Sequence, residues 1–204
     1  PVWSGGTASI TLSTSSGLTI QYQKGGISGS WTTGTNVTGL HHRDTVFARL
    51  TDGKNYGGEA SITILDTVAP QDAGISLSGT STTTAGSVTA TVTLKDNESG
   101  VNVTASKWVY NTNAGNIGTN ESSYNNNFSS NGQTITLKAT TPGTYYLHVL
   151  TVDNAGNKKE VISERIVITS VPKNWKKTTS NDPEWYDYGT EVNAPKLGTG
   201  MTPI

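Results

Sequence analysis

Strict alternation of apolar and polar residues in short runs is the feature that most constrains how this chain can fold. The clearest example is residues 88–95, where aliphatic side chains alternate with threonines and one lysine. A period of two places every second side chain on the same face of a strand, so each run predicts a half-buried strand. An amphipathic helix would instead place its apolar residues three and four positions apart. The pattern therefore predicts an all-β chain.

The composition favours the same class and excludes several functions. The chain has 23 glycines but only two phenylalanines and one methionine, which suits short strands and turns. It has no cysteine, so it has neither disulfides nor thiolate metal ligands, and its stability must come from packed cores. Charged residues make up 14% and the net charge is −1, which excludes nucleic acid as a primary partner. No apolar run approaches the roughly 18 residues of a membrane span, so we expect no membrane insertion.

The alternating runs fall into two series. The first predicts four or five strands ending near Asp66, and the second begins near Ile75. Between them, Pro70 cannot donate to a sheet ladder and biases the preceding residue toward an extended conformation, which is typical of a stiff linker. We therefore predict a short β-sandwich over residues 1–68 and a second sandwich over residues 69–170.

The two series have the same order of strand, Asp/Gly loop and strand, in residues 46–64 and 147–168. Self-similar units in series indicate tandem repeats, each long enough to close its own core. The pattern ends after residue 170, and residues 171–204 are interpreted as an extended linker or the start of a further module. The tail aromatics Trp175 and Trp185 are expected to dock on the second sandwich or on a partner. The chain lacks an initiator methionine, so we expect it to be a piece of a longer protein.

Three residues of the second series resemble an immunoglobulin-type core. Tyr145 stands two positions before the inward Leu147, as in the tyrosine corner of such sandwiches, with Leu147 where antibody domains have their second cysteine. Trp108, about forty residues upstream, stands where those domains place their core tryptophan. The resemblance implies structural roles for these three residues, beside that of Pro70 in the linker, within tandem immunoglobulin-like sandwiches.

The order of several motifs resembles the tandem bacterial Ig-like repeats of large surface proteins and of phage or prophage structural proteins. These motifs are the linker at residues 66–70 and the loops at residues 96–101 and 153–157, together with residues 143–146. The resemblance implies an extracellular setting, on a bacterial surface or a phage virion, and neighbouring repeats of the same polypeptide as partners. It implies a structural spacer that displays a distal binding module. The alternatives are an adhesion module that recognises a host glycan or protein, and a phage virion component such as a tail fibre or a capsid decoration.

The residues predict no catalytic site. The histidines are His41 and His42, in a predicted solvated turn, and His148, on a strand face opposite the core. No hydrolase, redox or phosphate-binding motif is present, so we expect no enzyme activity. An intramolecular Lys–Asn isopeptide bond would need a buried lysine, whereas the alternation places Lys95 and Lys138 outward.

Calcium is the one cofactor that the residues leave open. The loops that contain Asp96 and Asp153 are rich in hard oxygen ligands, of which Ca²⁺ takes six to eight. If these loops met beside Asp66 or Asp72, an ion would stiffen the linker. The alternative is that Asp and Asn simply close Asx-turns. We therefore assign no metal ligand from the sequence.

The sequence also offers a binding hypothesis, although it identifies no ligand. Residues 111–131 form an asparagine-rich loop that is long for a sandwich, and such loops often carry function. The loop is the best candidate for recognition of a host glycan or protein. An exposed edge strand, or the C-terminal tail, is also able to pair with another copy by strand addition.

Overall fold

The computed structural model describes residues 1–78, 82–83 and 86–169, which fold into strands joined by turns and loops. The predicted tail module and its aromatics lie outside the described residues. The first unit contains β1 (Val2–Ser4), β2 (Thr7–Thr11), β3 (Thr19–Lys24), β4 (Thr32–Thr33), β5 (Asn36–Leu40), β6 (Thr45–Thr51) and β7 (Tyr56–Thr63). The second unit contains β8 (Gln71–Leu77), β9 (Thr82–Thr83), β10 (Ser87–Lys95), β11 (Lys107–Asn111), β12 (Asn126–Asn127), β13 (Gln133–Lys138), β14 (Gly143–Val152), β15 (Lys158–Ile162) and β16 (Ile166–Ile168), with one 3-10 turn at Glu121–Ser123.

The two units share one strand order. In the first, the sheet β1-β2-β5 accompanies the sheet β4-β3-β6-β7. In the second unit, the sheet β8-β10-β13 corresponds to β1-β2-β5 of the first. The sheet β12-β11-β14, which β15 and β16 extend, corresponds to β4-β3-β6-β7. β9 pairs in parallel with β16, whereas the other pairings are antiparallel. This is the strand order of an immunoglobulin-like sandwich, so the chain is all-β, as the alternation predicted.

The core of the second unit follows the alternating pattern closely. On β10 the four aliphatic side chains from Val88 to Leu94 are at most 5% exposed, and the threonines between them lie outward. They pack against Leu137 of β13 and Leu147 of β14 in one cluster. Burying an aliphatic side chain of this size contributes about 1.5–3 kcal/mol, so this face provides much of the stability.

The first unit has its own smaller core, and it contains more strands than the four or five that alternation predicts. Its buried cluster includes Val37 and Leu40, both on β5. These residues are three positions apart, so they break the period of two. Gly39 lies between them with φ of 64°, and the register of β2 against β5 shifts nearby. A bulge therefore brings both side chains to the core, which explains why the sequence pattern missed β5.

β14 lacks alternation because both of its faces are covered. Its residues from Leu147 to Val152 are buried without interruption. Leu147 and Val149 belong to the main core, whereas Leu150 and Val152 belong to a separate cluster on the opposite face. A strand that is covered on both faces buries consecutive residues, including the polar His148 and Thr151 here, so it shows no alternation of apolar and polar positions. In the described part of the chain, no helix is long and apolar enough to span a bilayer.

Candidate functional site

A buried carboxylate, that of Asp66, lies in the linker between the two units. Asp66 is 3% exposed and follows the last strand of the first unit. Its backbone N–H donates to Nδ1 of His42, at 3.0 Å, in the first unit. Its Oδ1 accepts from the N–H of Val68 at 2.9 Å, and its Oδ2 accepts from the N–H of Ser99, in the second unit, at 3.0 Å. Asp66 therefore ties both units to the linker.

The loop after β14 also reaches the linker. Asp153 is 1% exposed, and its Oδ1 accepts from the N–H groups of Ala155 and Asn157 at 2.9 and 2.8 Å. Nδ2 of Asn157 donates to Oδ2 of Asp153 at 2.8 Å and lies 3.4 Å from the carbonyl oxygen of Asp66. The Asp153 carboxylate thus shapes this loop and holds it against the linker.

The loop after β10 completes this contact region between linker and loops. Residues 64–70, 96–100 and 153–157 are together called the joint. Asp96 Oδ2 accepts from the N–H of Gly100 at 2.7 Å, which closes a tight turn. Asn154, in the loop after β14, donates its N–H to the carbonyl of Gly100 at 2.8 Å and its Nδ2 to the carbonyl of Ser99 at 2.9 Å. The loops that the sequence singled out for calcium, residues 96–100 and 153–157, are therefore bonded to each other.

These contacts bring three carboxylates together. Asp66, Asp96 and Asp153 each offer an oxygen, and the three oxygens lie within 4.8 Å of one another. Burial raises the pKa of Asp96, and the charges of Asp153, Asp66 and Glu98 raise it further, against a lowering by the Gly100 N–H. Repulsion among these carboxylates is the electrostatic condition that a bound cation relieves.

Three buried oxygens, on Asp96 and on two other residues of the second unit, have no hydrogen-bond partner within the part of the chain that the structure describes. Asp96 Oδ1, Ser99 Oγ and Gln71 Oε1 are buried and have no hydrogen-bond partner among the described residues. Ser99 as a whole is only 7% exposed. Leaving a buried polar atom unsatisfied costs about 1–3 kcal/mol. Ca²⁺ prefers carboxylate and amide oxygens, so the three clustered carboxylates are of the ligand type that suits this ion.

Two residues near the joint differ from the expectations drawn from sequence. Asp72, offered beside Asp66 as a possible neighbour of the ion, is outside the cluster: its side chain is 73% exposed and pairs with Lys159 Nζ at 2.7 Å. His42, predicted in a solvated turn, instead accepts the Asp66 N–H. No sequence signal marks this contact, because 24 positions separate the two residues.

The residues predicted to have structural roles lie in or near the second core. Oη of Tyr145 donates to the carbonyl of Thr141, four residues upstream, at 2.9 Å, which is the geometry of a tyrosine corner. Leu147 is fully buried, and Trp108 is partly buried and packs on the main core. Pro70 is buried at the end of the linker. Lys95 and Lys138 are exposed.

The asparagine-rich loop uses many of its side chains to form its own turns. Oδ1 atoms accept hydrogen bonds from backbone N–H groups two residues ahead, at 2.6–3.1 Å, in Asn111, Asn113, Asn116 and Asn120. These are Asx-turns, in which the side chain replaces a backbone acceptor. The asparagines therefore contribute to loop structure whether or not the loop binds a ligand.

Comparison with known proteins yields structural neighbours alone. No family model matches the chain, and no curated protein matches it. The chicken interferon gamma receptor alpha chain covers 83% of this chain and 98% of its own, at 11% identity and a TM-score of 0.38. The amphioxus IgVJ-C2 molecule covers 82% and 99%, at 13% identity and a TM-score of 0.38. The fibronectin(III)-like modules of Clostridium thermocellum CbhA cover 81% and 87%, at 15% identity and a TM-score of 0.30.

Proposed function

We propose that this chain is a non-catalytic structural module of an extracellular protein. Its two tandem Ig-like sandwiches hold a fixed spacing, and they display a binding module that is located elsewhere in the same protein. The observation that carries the proposal is the joint. Asp66, in the linker, is hydrogen-bonded to His42 of the first unit and to Ser99 of the second.

A fixed joint is what distinguishes a spacer from two loosely tethered domains. Flexible linkers leave neighbouring domains free to reorient, and relative motion is the usual expectation for small interfaces. Here residues 64–70 have no regular secondary structure, but the linker ends at the buried Pro70 and is bonded to loops of the second unit. Such a linker transmits orientation from one sandwich to the next, as a spacer requires.

Calcium belongs to this proposal as the ion that completes the joint. Asp66, Asp96 and Asp153 would hold it, and the ion would neutralise their mutual repulsion. Because these ligands come from the linker and from two loops of the second unit, binding would oppose any movement of the linker away from these loops. The proposed bacterial surface or phage setting is compatible with this requirement, since extracellular modules bind Ca²⁺ with a Kd of about 10⁻⁴–10⁻³ M.

Calcium titration of the full chain tests the proposal. Isothermal titration calorimetry with CaCl₂ should show binding to the wild-type chain and to Asp72→Asn, a control that removes a nearby exposed acid. Asp96→Asn should lose binding. Calcium should raise the Tm of the two binding variants, and a chelator should reverse the increase. Absence of binding to the wild-type chain would contradict the role of the ion.

The fixed joint is tested separately from the ion. Residual dipolar couplings of the two units, measured with and without calcium, should fit one common alignment tensor. Two independent tensors in saturating calcium would contradict the spacer proposal itself, because the units would then reorient freely.

Binding of a host glycan or protein through residues 111–131 stays a prediction beside this proposal. Glycan-array screening of the full chain checks it. Specific binding that is lost when the loop is replaced by a short turn would favour an adhesive role over a purely structural one.

A further inference from the structure

Residues 112–124, here called the strap, lie across the face of the β11-β14-β15 sheet that points away from the main core. Ile117 and Tyr124 of the strap pack with Leu150 and Val152 of β14 in a separate apolar cluster. Tyr124, Leu150 and Val152 are at most 4% exposed. The strap therefore closes a second, smaller core that is independent of the joint described above.

A buried, hydrogen-bonded pair of side chains lies beneath the strap. The side chains of His148, on β14, and Glu160, on β15, are 0% and 1% exposed. Nδ1 of His148 lies 2.8 Å from Oε1 of Glu160, and Nε2 lies 2.9 Å from the carbonyl oxygen of Asn113 in the strap. Nε2 needs a proton to donate to the Asn113 carbonyl, and a second proton must lie between Nδ1 and Oε1, since two lone pairs would otherwise face each other. The geometry thus requires two protons in the pair, and an imidazolium with a proton on both nitrogens satisfies it.

The Glu160 carboxylate links the histidine to the strap backbone. The N–H groups of Ile117 and Gly118 donate to its Oε2 at 3.0 and 2.8 Å. Oη of Tyr124 in turn donates to the carbonyl of Gly118 at 2.7 Å. Both members of the pair therefore hold the strap directly, His148 through Asn113 and Glu160 through two amides.

Among the described residues, Glu160 is the one ionisable side chain that forms a hydrogen bond with His148. The cross-strand neighbours of His148 are the apolar Val109 on β11 and Ile162 on β15. Burial raises the pKa of Tyr124, and the Glu160 charge raises it further, so this phenol stays protonated in neutral solution.

The remaining charges on this face are engaged with one another. Nζ of Lys158 lies 2.8 Å from Glu121 Oε1, and Nζ of Lys107 lies 3.9 Å from Glu121 Oε2. Glu121 is in the strap, whereas the two lysines are on strands of the sheet. These pairs are partly exposed, so solvent screens them more than it screens the pair between His148 and Glu160.

We propose that the pair of His148 and Glu160 is a proton-dependent latch on the strap. While His148 carries both protons, the strap stays on the sheet. Loss of one proton removes the hydrogen bond to Asn113 or leaves the Glu160 charge uncompensated, so the strap opens more readily as the pH rises. Opening would expose the apolar cluster around Tyr124 and Leu150, so the surface presented by this loop would depend on pH.

Two measurements on the full wild-type chain test the latch. Nitrogen-15 NMR of the His148 ring at about pH 6 should show protons on both nitrogens. Hydrogen exchange of the Ile117 and Gly118 amides, corrected for intrinsic rates, should accelerate by about tenfold or more once the ring shift shows that His148 has lost a proton, since a charged hydrogen bond is lost. The amide of Val92 in the main core serves as the control for global unfolding.

Variants separate the latch from general stability. His148→Gln cannot titrate, so the strap amides should exchange with a pH-independent protection factor. His41→Gln, at a histidine whose side chain is 68% exposed, should behave as the wild-type chain does. A neutral His148 ring at about pH 6 with a protected strap, or wild-type protection that survives loss of the His148 proton, would overturn the proposal. If His148→Gln fails to fold, the wild-type NMR and exchange data decide alone.

Discussion

The three clustered aspartates differ in how many of their carboxylate oxygens accept hydrogen bonds. Asp96 shows this most clearly, because one of its oxygens closes a turn with Gly100 while the other is buried without a hydrogen-bond partner among the described residues. Asp66 and Asp153, by contrast, have both oxygens hydrogen-bonded. Asp96 is therefore the member of the cluster whose charge is least compensated.

The pH dependence of the calcium-free joint follows from Asp96. Its pKa is raised in the folded state above the ordinary 3.8, so the folded chain binds this proton more tightly than the unfolded chain does. The resulting stabilisation is fully present below the unfolded pKa and is lost as pH rises through the folded pKa. At neutral pH and without calcium, Asp96→Asn should therefore stabilise the chain, by no more than about 1 kcal/mol because the side chain is partly hydrated. Urea unfolding at several pH values checks this, and a stabilisation of equal size in Asp72→Asn would contradict it.

Two stacked tyrosines offer a matched test of hydrogen bonding. The rings of Tyr110 and Tyr145 lie 5.1 Å apart, but only Tyr145 donates a hydrogen bond, to Thr141, whereas the buried hydroxyl of Tyr110 has no partner among the described residues. Tyr145→Phe should cost about 1 kcal/mol, and Tyr110→Phe should be neutral or stabilising, because it removes an unsatisfied polar atom. Equilibrium unfolding in denaturant measures both. Equal destabilisation by the two substitutions would exclude this role for the Tyr145 hydroxyl.

At the scale of the strand, alternation of apolar and polar residues predicts a strand and its buried face where the other face is solvated. It fails where a strand is bulged or is covered on both faces. β10 has polar residues on its outer face, so its pattern predicts both its extent and its orientation. β5 contains a bulge at Gly39, and β14 is covered on both faces, so neither displays a period of two. The exceptions therefore have specific causes, namely an extra residue in one case and a second apolar cluster in the other.

Gly39 gives the element-scale prediction. With φ of 64° it occupies the left-handed region, and a Cβ there would meet only Lys24 Nζ, at 3.9 Å, so backbone strain rather than collision decides the outcome. Gly39→Ala should destabilise the chain by about 1 kcal/mol or somewhat more. Gly57→Ala is the matched control, because Gly57 lacks a positive φ and has open space around its Cβ position. Thermal unfolding of both variants checks the difference, and equal Tm values would show that the bulge tolerates a side chain.

At the scale of the whole molecule, the joint determines how the two cores behave together. The first core draws its buried residues from positions 8–64 and the second from positions 73–168, so each unit has its own cluster. What connects them is the polar network around Asp66.

Asp66→Ala should therefore uncouple the units more than it unfolds them. The substitution removes the acceptors for the Val68 and Ser99 N–H groups, at a cost of about 1–3 kcal/mol. Small-angle X-ray scattering should show a broader distribution of maximum dimensions, and NMR relaxation should give the units separate correlation times. Asp72→Asn should leave both measurements unchanged. Unaltered coupling in Asp66→Ala would show that packing, not this carboxylate, holds the joint.

The sequence by itself determined the all-β class, because alternating apolar and polar residues and glycine-rich turns act locally along the chain. It also determined which loops contain oxygen ligands, although not which of them meet. Only the tertiary structure decided that Asp66, rather than Asp72, joins Asp96 and Asp153, that His42 contacts the linker, and that His148 is buried under a strap. These contacts join residues that are 24 or more positions apart along the chain. They depend on how sheets and loops pack in three dimensions, and no periodicity along the chain encodes that packing.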